Sequence, residues 1–84
     1  MHNQELIRMT SKKLSTLIRN DIFRITSIPN TEIRTQLIRF GLGVGCYAKC
    51  HQKLPFGPLV IRYRKQEIAI GREIADEILV EHAG

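Results

Sequence analysis

Chain breakers recur through this sequence at intervals too short for long regular elements. Pro29-Asn30, Gly41, Gly43, Gly45, Pro55, Gly57, Pro58 and Gly71 divide it. Proline cannot donate to a strand ladder, and glycine supplies the backbone conformations that tight turns need. Most of the pieces between the breakers alternate apolar and polar residues, as half-buried strands do. Many short strands with breaker-rich turns in a chain of 84 residues point to a small closed barrel, because closure removes exposed edges. A domain of this size buries only around 60% of the surface its unfolded chain exposes. Its core is one thin aliphatic layer, with little room for a substrate site of roughly 300 Å³ or more.

The first twelve residues are polar and read as a loosely ordered extension, leaving 13–84 as the domain. Leu14 and Leu17 have the spacing of a helical turn. Asn20-Asp21 is a turn, since Asn tolerates the left-handed conformation. Residues 21–28 read as a strand with Phe23, Ile25 and Ser27 on one side. Ile22, Arg24, Thr26 and Ile28 fall on the other, so both sides hold apolar residues and the inward face stays open. Pro29 stops that strand, and Asn30 or Thr31 can cap a helix over 32–40. Ile33, Leu37 and Phe40 form its apolar face. Gly41 falls where a left-handed C-cap belongs, and Leu42 where its hydrophobic contact would follow.

After the Gly43-Val44-Gly45 turn, Cys46, Ala48 and Cys50 alternate with Tyr47, Lys49 and His51. Leu54–Pro58 is a loop. Leu59, Ile61 and Tyr63 then alternate with Val60, Arg62 and Arg64. A hairpin turn is expected at Lys65-Gln66, followed by a strand through Ile68 and Ile70. Ile74 and Ile78 lie four apart, the spacing of one helix face over 72–77. Leu79-Val80 makes a last short strand.

Several function classes lose support on this reading. The longest apolar runs, such as Leu59-Val60-Ile61, are far too short to span a bilayer. The N-terminus lacks the apolar core of a secretory signal, so a cytoplasmic protein without membrane insertion is expected. Gly41, Gly43 and Gly45 follow a helix instead of preceding one, the wrong order for a phosphate-binding loop. No Ser, His and Asp arrangement stands out, and the chain reads as non-enzymatic. Cys46, Cys50 and His51 are the candidate ligands for a transition metal. Alternation places His51 on the face opposite the cysteines, which favours small core cysteines beside a surface histidine. No cofactor is expected.

The formal net charge is +5. Five acids (Glu67, Glu73, Asp76, Glu77, Glu81) crowd the C-terminal part, while bases run from Arg19 to Lys65. A basic surface suits nucleic acid or an acidic protein. Dispersal of the charges favours an ordinary solvated surface. Arg62, Arg64 and Lys65 could meet a phosphate backbone, but the adjacent Tyr63 should face the core, and nucleic acid is the lesser expectation.

Four segments together resemble the ferrous-iron transport protein A (FeoA) family. Leu14-Ser15-Thr16-Leu17 is similar to its opening segment. Ile38-Arg39-Phe40-Gly41-Leu42-Gly43-Val44-Gly45 resembles its helix end and turn, with Val44 where the family usually has proline. Pro55–Arg62 resembles its loop and following strand. Ile68–Ala75, with Ile78 and Val80, is similar to its closing motif. Arg19-Asn20 stands where proline-glycine is common. The resemblance implies a mainly β fold, a small SH3-like β-barrel with one or two short helices. It also implies an accessory protein of ferrous-iron transport, acting on the cytosolic GTPase region of the FeoB-type transporter. The same domain ends some metal-dependent repressors, so a metal-responsive regulatory module is a further alternative. No winged-helix region precedes the domain in this sequence, which disfavours it. The expected docking surface is the Leu54–Pro58 loop with the 62–65 hairpin. Phe56 is its aromatic anchor, and Arg62, Arg64 and Lys65 its charged part.

Overall fold

The computed structural model describes residues 11–84. Six strands form one antiparallel sheet: β1 (Lys12–Lys13), β2 (Ile22–Ser27), β3 (Tyr47–Lys53), β4 (Leu59–Tyr63), β5 (Gln66–Ile70) and β6 (Leu79–His82). Their spatial order is β1-β6-β2-β3-β4-β5. A 3-10 turn spans Leu14–Thr16, and two short helices, α1 (Thr31–Ile38) and α2 (Arg72–Ala75), complete the domain. This is the small, mainly β, barrel-like fold expected. The ladder does not close, however: β1 and β5 are its outer strands among the described residues. The extension expected over residues 1–12 lies, through residue 10, outside the described residues. Lys12 and Lys13 pair with Val80 and Leu79 of β6.

Bulges curl the sheet. In β2, Ile25 faces Val80 and Ser27 faces Leu79, so one extra residue sits between them. A bulge reverses side-chain phase. Phe23 and Ile25 are buried before it, and Thr26 and Ile28 after it. That explains why both sides of this strand carry apolar residues. A second bulge in β3 separates Cys50 from Gln52. The core gathers Leu14, Leu17, Phe23, Leu42, Cys50, Ile61, Ile78 and Val80, with Ile33 and Leu37 of α1 packed on it.

Helix α1 is defined at both ends by local chemistry. Asn30 Oδ1 accepts from the N–H groups of Glu32 (2.9 Å) and Ile33 (3.2 Å), a cap worth about 1 kcal/mol. At the other end the Gly41 N–H donates to Ile38 O (2.9 Å) and the Leu42 N–H to Leu37 O (3.1 Å). This is a Schellman motif, which needs a left-handed residue, and Gly41 has φ +81°. The motif ends the regular helix at Ile38, short of the expected residue 40. Phe40 consequently leaves the buried face and is 43% exposed.

Two other boundaries differ from expectation. The β4–β5 turn is Arg64-Lys65, one residue earlier than Lys65-Gln66, since Tyr63 pairs with Gln66. Arg64 adopts φ +58°, the sign that tight hairpins demand at their first central position. Helix α2 stops at Ala75, so Ile78 does not share a face with Ile74: Ala75 and Ile78 are buried, while Ile74 is half-buried.

Candidate functional site

Strand β5 is an outer strand, and its ladder with β4 fixes which backbone groups stay open. A two-residue hairpin makes Tyr63 and Gln66 a hydrogen-bonded pair. Alternation then makes Ile61–Ile68 and Leu59–Ile70 hydrogen-bonded, and Arg62–Glu67 and Val60–Ala69 not. The N–H and C=O groups of Glu67 and Ala69 therefore face outward, and no described residue bonds to them. Beside this open edge runs a groove of about 250 Å³, lined by Ile33, Leu37 and Phe40 on one wall and Glu67–Ile70 on the other, with Ile74 at its end. It is smaller than a typical small-molecule site of roughly 300 Å³ or more.

The two ends of the groove differ. At one end the Gln66 side-chain amide donates to Phe40 O (3.0 Å). This bond draws together the two chain segments that carry Arg39 and Lys65. At the other end Gly71 and Ile74 continue into a shallow depression lined also by Phe56, Gly57, Pro58, Arg72 and Glu73. The loop there is fastened from α2. Arg72 Nε donates to Gly57 O and Nη2 to Leu54 O, both at 2.7 Å. Two charge-assisted bonds to carbonyls hold the loop while its tip, Phe56, stands fully exposed at φ +56°.

The expected docking residues are thus not one cluster. Phe56 precedes β4, and Arg64 and Lys65 follow it, about 13 Å of strand away. Arg62 lies between them on the outer sheet face, opposite Lys49. Both are exposed, and neither side chain has a hydrogen bond or ion pair among the described residues. Like charges directly opposite on a sheet are destabilising. The Arg64 guanidinium lies 5.2 Å from the Tyr63 ring centroid, while Tyr63 itself is buried, as expected. Sequence reading missed the groove entirely. The signal that could have found it was Phe40, an aromatic placed beside a predicted C-cap glycine.

The three metal candidates do not converge. The Cys50 thiol is buried, and burial pushes its pKa up. Cys46 Sγ lies 3.6 Å from both the Tyr63 hydroxyl and Gly41 O. The bond to Cys46, then burial, raises the Tyr63 pKa. His51 Nε2 is 3.5 Å from Glu67 Oε2. No group of three or more His, Cys, Asp or Glu is placed to hold a metal ion among the described residues.

A polar cluster joins β1, β6 and Asp21, the residue before β2. Lys12 Nζ lies 3.2 Å from His82 Nδ1, and His82 Nε2 lies 3.3 Å from Asp21 Oδ2. Asp21 also accepts the Ile18 N–H at 2.9 Å. That backbone bond, aided by His82, holds the Asp21 carboxyl below its ordinary range. This cluster lies at the surface, and it reads as a fastening of β1 and β6 to the start of β2.

The model of the FeoA domain matches residues 12–82. The chain belongs to the FeoA domain family. Solved structures agree. A crystal structure of an iron uptake regulatory protein (FeoA) shares 24% identity over 87% of this chain and 99% of its own, with TM-score 0.78. The solution structure of the FeoA protein from Chlorobium tepidum shares 27% identity, covering 87% of this chain and 71% of that one, with TM-score 0.77. The T. acidophilum IdeR crystal structure shares 21% identity and TM-score 0.75, and the match spans 87% of this chain but only 34% of that one. No curated protein matches the chain. The FeoA fold of these relatives is the SH3-like architecture expected from the sequence. Among the described residues, no helix is long and apolar enough to cross a membrane.

Proposed function

We propose that this FeoA-family domain is a non-enzymatic accessory module of ferrous-iron transport that acts in the cytoplasm. It docks on the cytosolic GTPase region of the FeoB-type transporter. The observation that carries this reading is the display of Phe56. A large aromatic ring stands wholly in solvent on a loop tied by two bonds from Arg72. Aromatic residues dominate binding energy at interfaces, and a tethered loop loses little entropy on docking. Docking would shift the transporter between conformations only if the module binds one of them better.

The test is an NMR titration of the labelled domain with the nucleotide-loaded GTPase region from the same organism. Saturable shifts around Phe56 are expected. Phe56→Ala should weaken binding about tenfold or more and leave the melting temperature nearly unchanged. Absence of any saturable shift on the folded domain would remove this reading.

A second reading rests on the unpaired Lys49–Arg62 pair on the outer sheet face. Two bases held opposite one another fit a polyanion, so binding of nucleic acid is the alternative. Its signature is a steep fall of affinity for generic DNA or RNA with rising salt.

A further inference from the structure

We infer that the open edge of β5 binds an extended peptide segment of the partner by strand addition. The segment carries an aliphatic side chain for the groove and an acidic residue for the Arg39–Lys65 end. The inference rests on the reading of the domain as a docking module and specifies how it docks.

The occupant's chemistry follows from the groove. Glu67 and Ala69 present outward N–H and C=O groups two residues apart, the spacing at which another strand bonds. Only an extended backbone satisfies both positions. A residue placed opposite Ile68 shares its face. Its side chain then enters the space between β5 and α1, whose walls include Ile33, Leu37 and Ile74. A volume of about 250 Å³ suits an aliphatic side chain rather than a cofactor. Charge sets the direction of the segment. Arg39 and Lys65 adjoin in sequence the two residues of the Gln66–Phe40 bond at one end of the groove, and Glu67 at that end lies 3.5 Å from His51. Neither has an ion pair among the described residues. A carboxylate about two positions from the aliphatic residue, toward the hairpin turn, reaches them. Edge strands left open invite pairing with other chains. Here the flanking helix leaves a slot beside the edge, and a slot selects a single added strand over a second sheet.

The probe is a capped peptide, acetyl-Thr-Val-Leu-Thr-Asp-amide, titrated into the full labelled chain. Saturable shifts and slowed amide exchange at Glu67 and Ala69 are expected, with methyl shifts at Ile33 and Ile68. Replacing the peptide's Leu by Ser should weaken binding about tenfold or more. Replacing its Asp by Lys should weaken it several-fold, and Lys65→Glu should recover that loss. Ala69→Pro should abolish binding. The Ala69 N–H makes no ladder bond, and proline is tolerated at such edge positions. If Ala69→Pro disturbs folding, the peptide substitutions carry the test alone. Shifts elsewhere, equal binding of the Leu and Ser peptides, or no binding would each overturn the inference. So would shifts at Glu67 and Ala69 that appear on concentrating the free protein, which would make a second copy the occupant. Titration with the GTPase region separates this inference from the broader reading. Saturable binding that leaves β5 unperturbed overturns only the strand addition, whereas peptide binding at β5 without any response to the GTPase region overturns only the transporter assignment.

Discussion

The two connections that flank β4 share a backbone oddity and solve it differently. Phe56 before the strand has φ +56° and Arg64 after it has φ +58°. Both place a bulky side chain in the left-handed region, at a cost of roughly 1–2 kcal/mol each. At Arg64 the compensation is local. The hairpin ladder fixes the turn, and the guanidinium lies over the adjacent Tyr63 ring. At Phe56 it is distant in sequence: Arg72, from α2, donates to the loop's own carbonyls. A turn paid for locally can be rebuilt one residue at a time, whereas a loop held from another element depends on the whole domain.

The contrast breaks most visibly at Arg72. Arg72→Ala should cost about 2 kcal/mol, since two charge-assisted bonds are lost, and should lower the melting temperature by about 8–16 °C. Urea unfolding measures it, and Arg72→Lys should restore only part, because one ammonium cannot reproduce the fork. A smaller effect distinguishes the two left-handed residues. Phe56→Gly should stabilise the protein by about 0.5 kcal/mol, strain relief exceeding the added freedom of the unfolded chain. Arg64→Gly should come out near neutral, because it also forfeits a cation–π contact worth about 0.5 kcal/mol. Equal effects at the two sites would show that the Arg64–Tyr63 contact adds nothing. The third non-glycine left-handed residue among those described, Asn20 (φ +78°), stands beside the smallest effect, which supplies an acid-side marker. The Asp21 carboxyl titrates below its usual 3.8 in the folded state, chiefly through the Ile18 N–H. Its contribution is complete above pH 3.8 and disappears as pH falls through the lowered value. Asp21→Asn should flatten that part of the stability–pH curve without changing the neutral-pH shape of the protein.

Local chemistry was legible in the sequence, and long-range geometry much less so. A cap at Asn30 or Thr31, the Gly41 Schellman turn, the inward Ala48 and Cys50, and the buried Tyr63 follow from propensity and alternation, and the fold settles the cap on Asn30. These depend on neighbours within a few residues. Phe40 did not follow, because the helix period puts it inward and the Schellman motif turns it out. The β2 bulge was hidden, since only pairing with β6 reveals the extra residue between Ile25 and Ser27. The candidate site was legible in part. Phe56 was readable as an aromatic among breakers, and Arg62, Arg64 and Lys65 as exposed bases. Their separation along β4, and the groove between their ends, required the fold, because α1 and β5 are brought together by packing rather than by sequence.

Cys50 sits at the inner wall of β3 with no exposed surface, while Cys46, four residues earlier, is partly open. Thiol reagents acting on the native protein will therefore modify one sulfur quickly and leave the other untouched until the sheet separates. With Cys46 replaced by Ser, the remaining thiol becomes a built-in clock. Its labelling rate, measured without denaturant, counts how often the whole barrel opens.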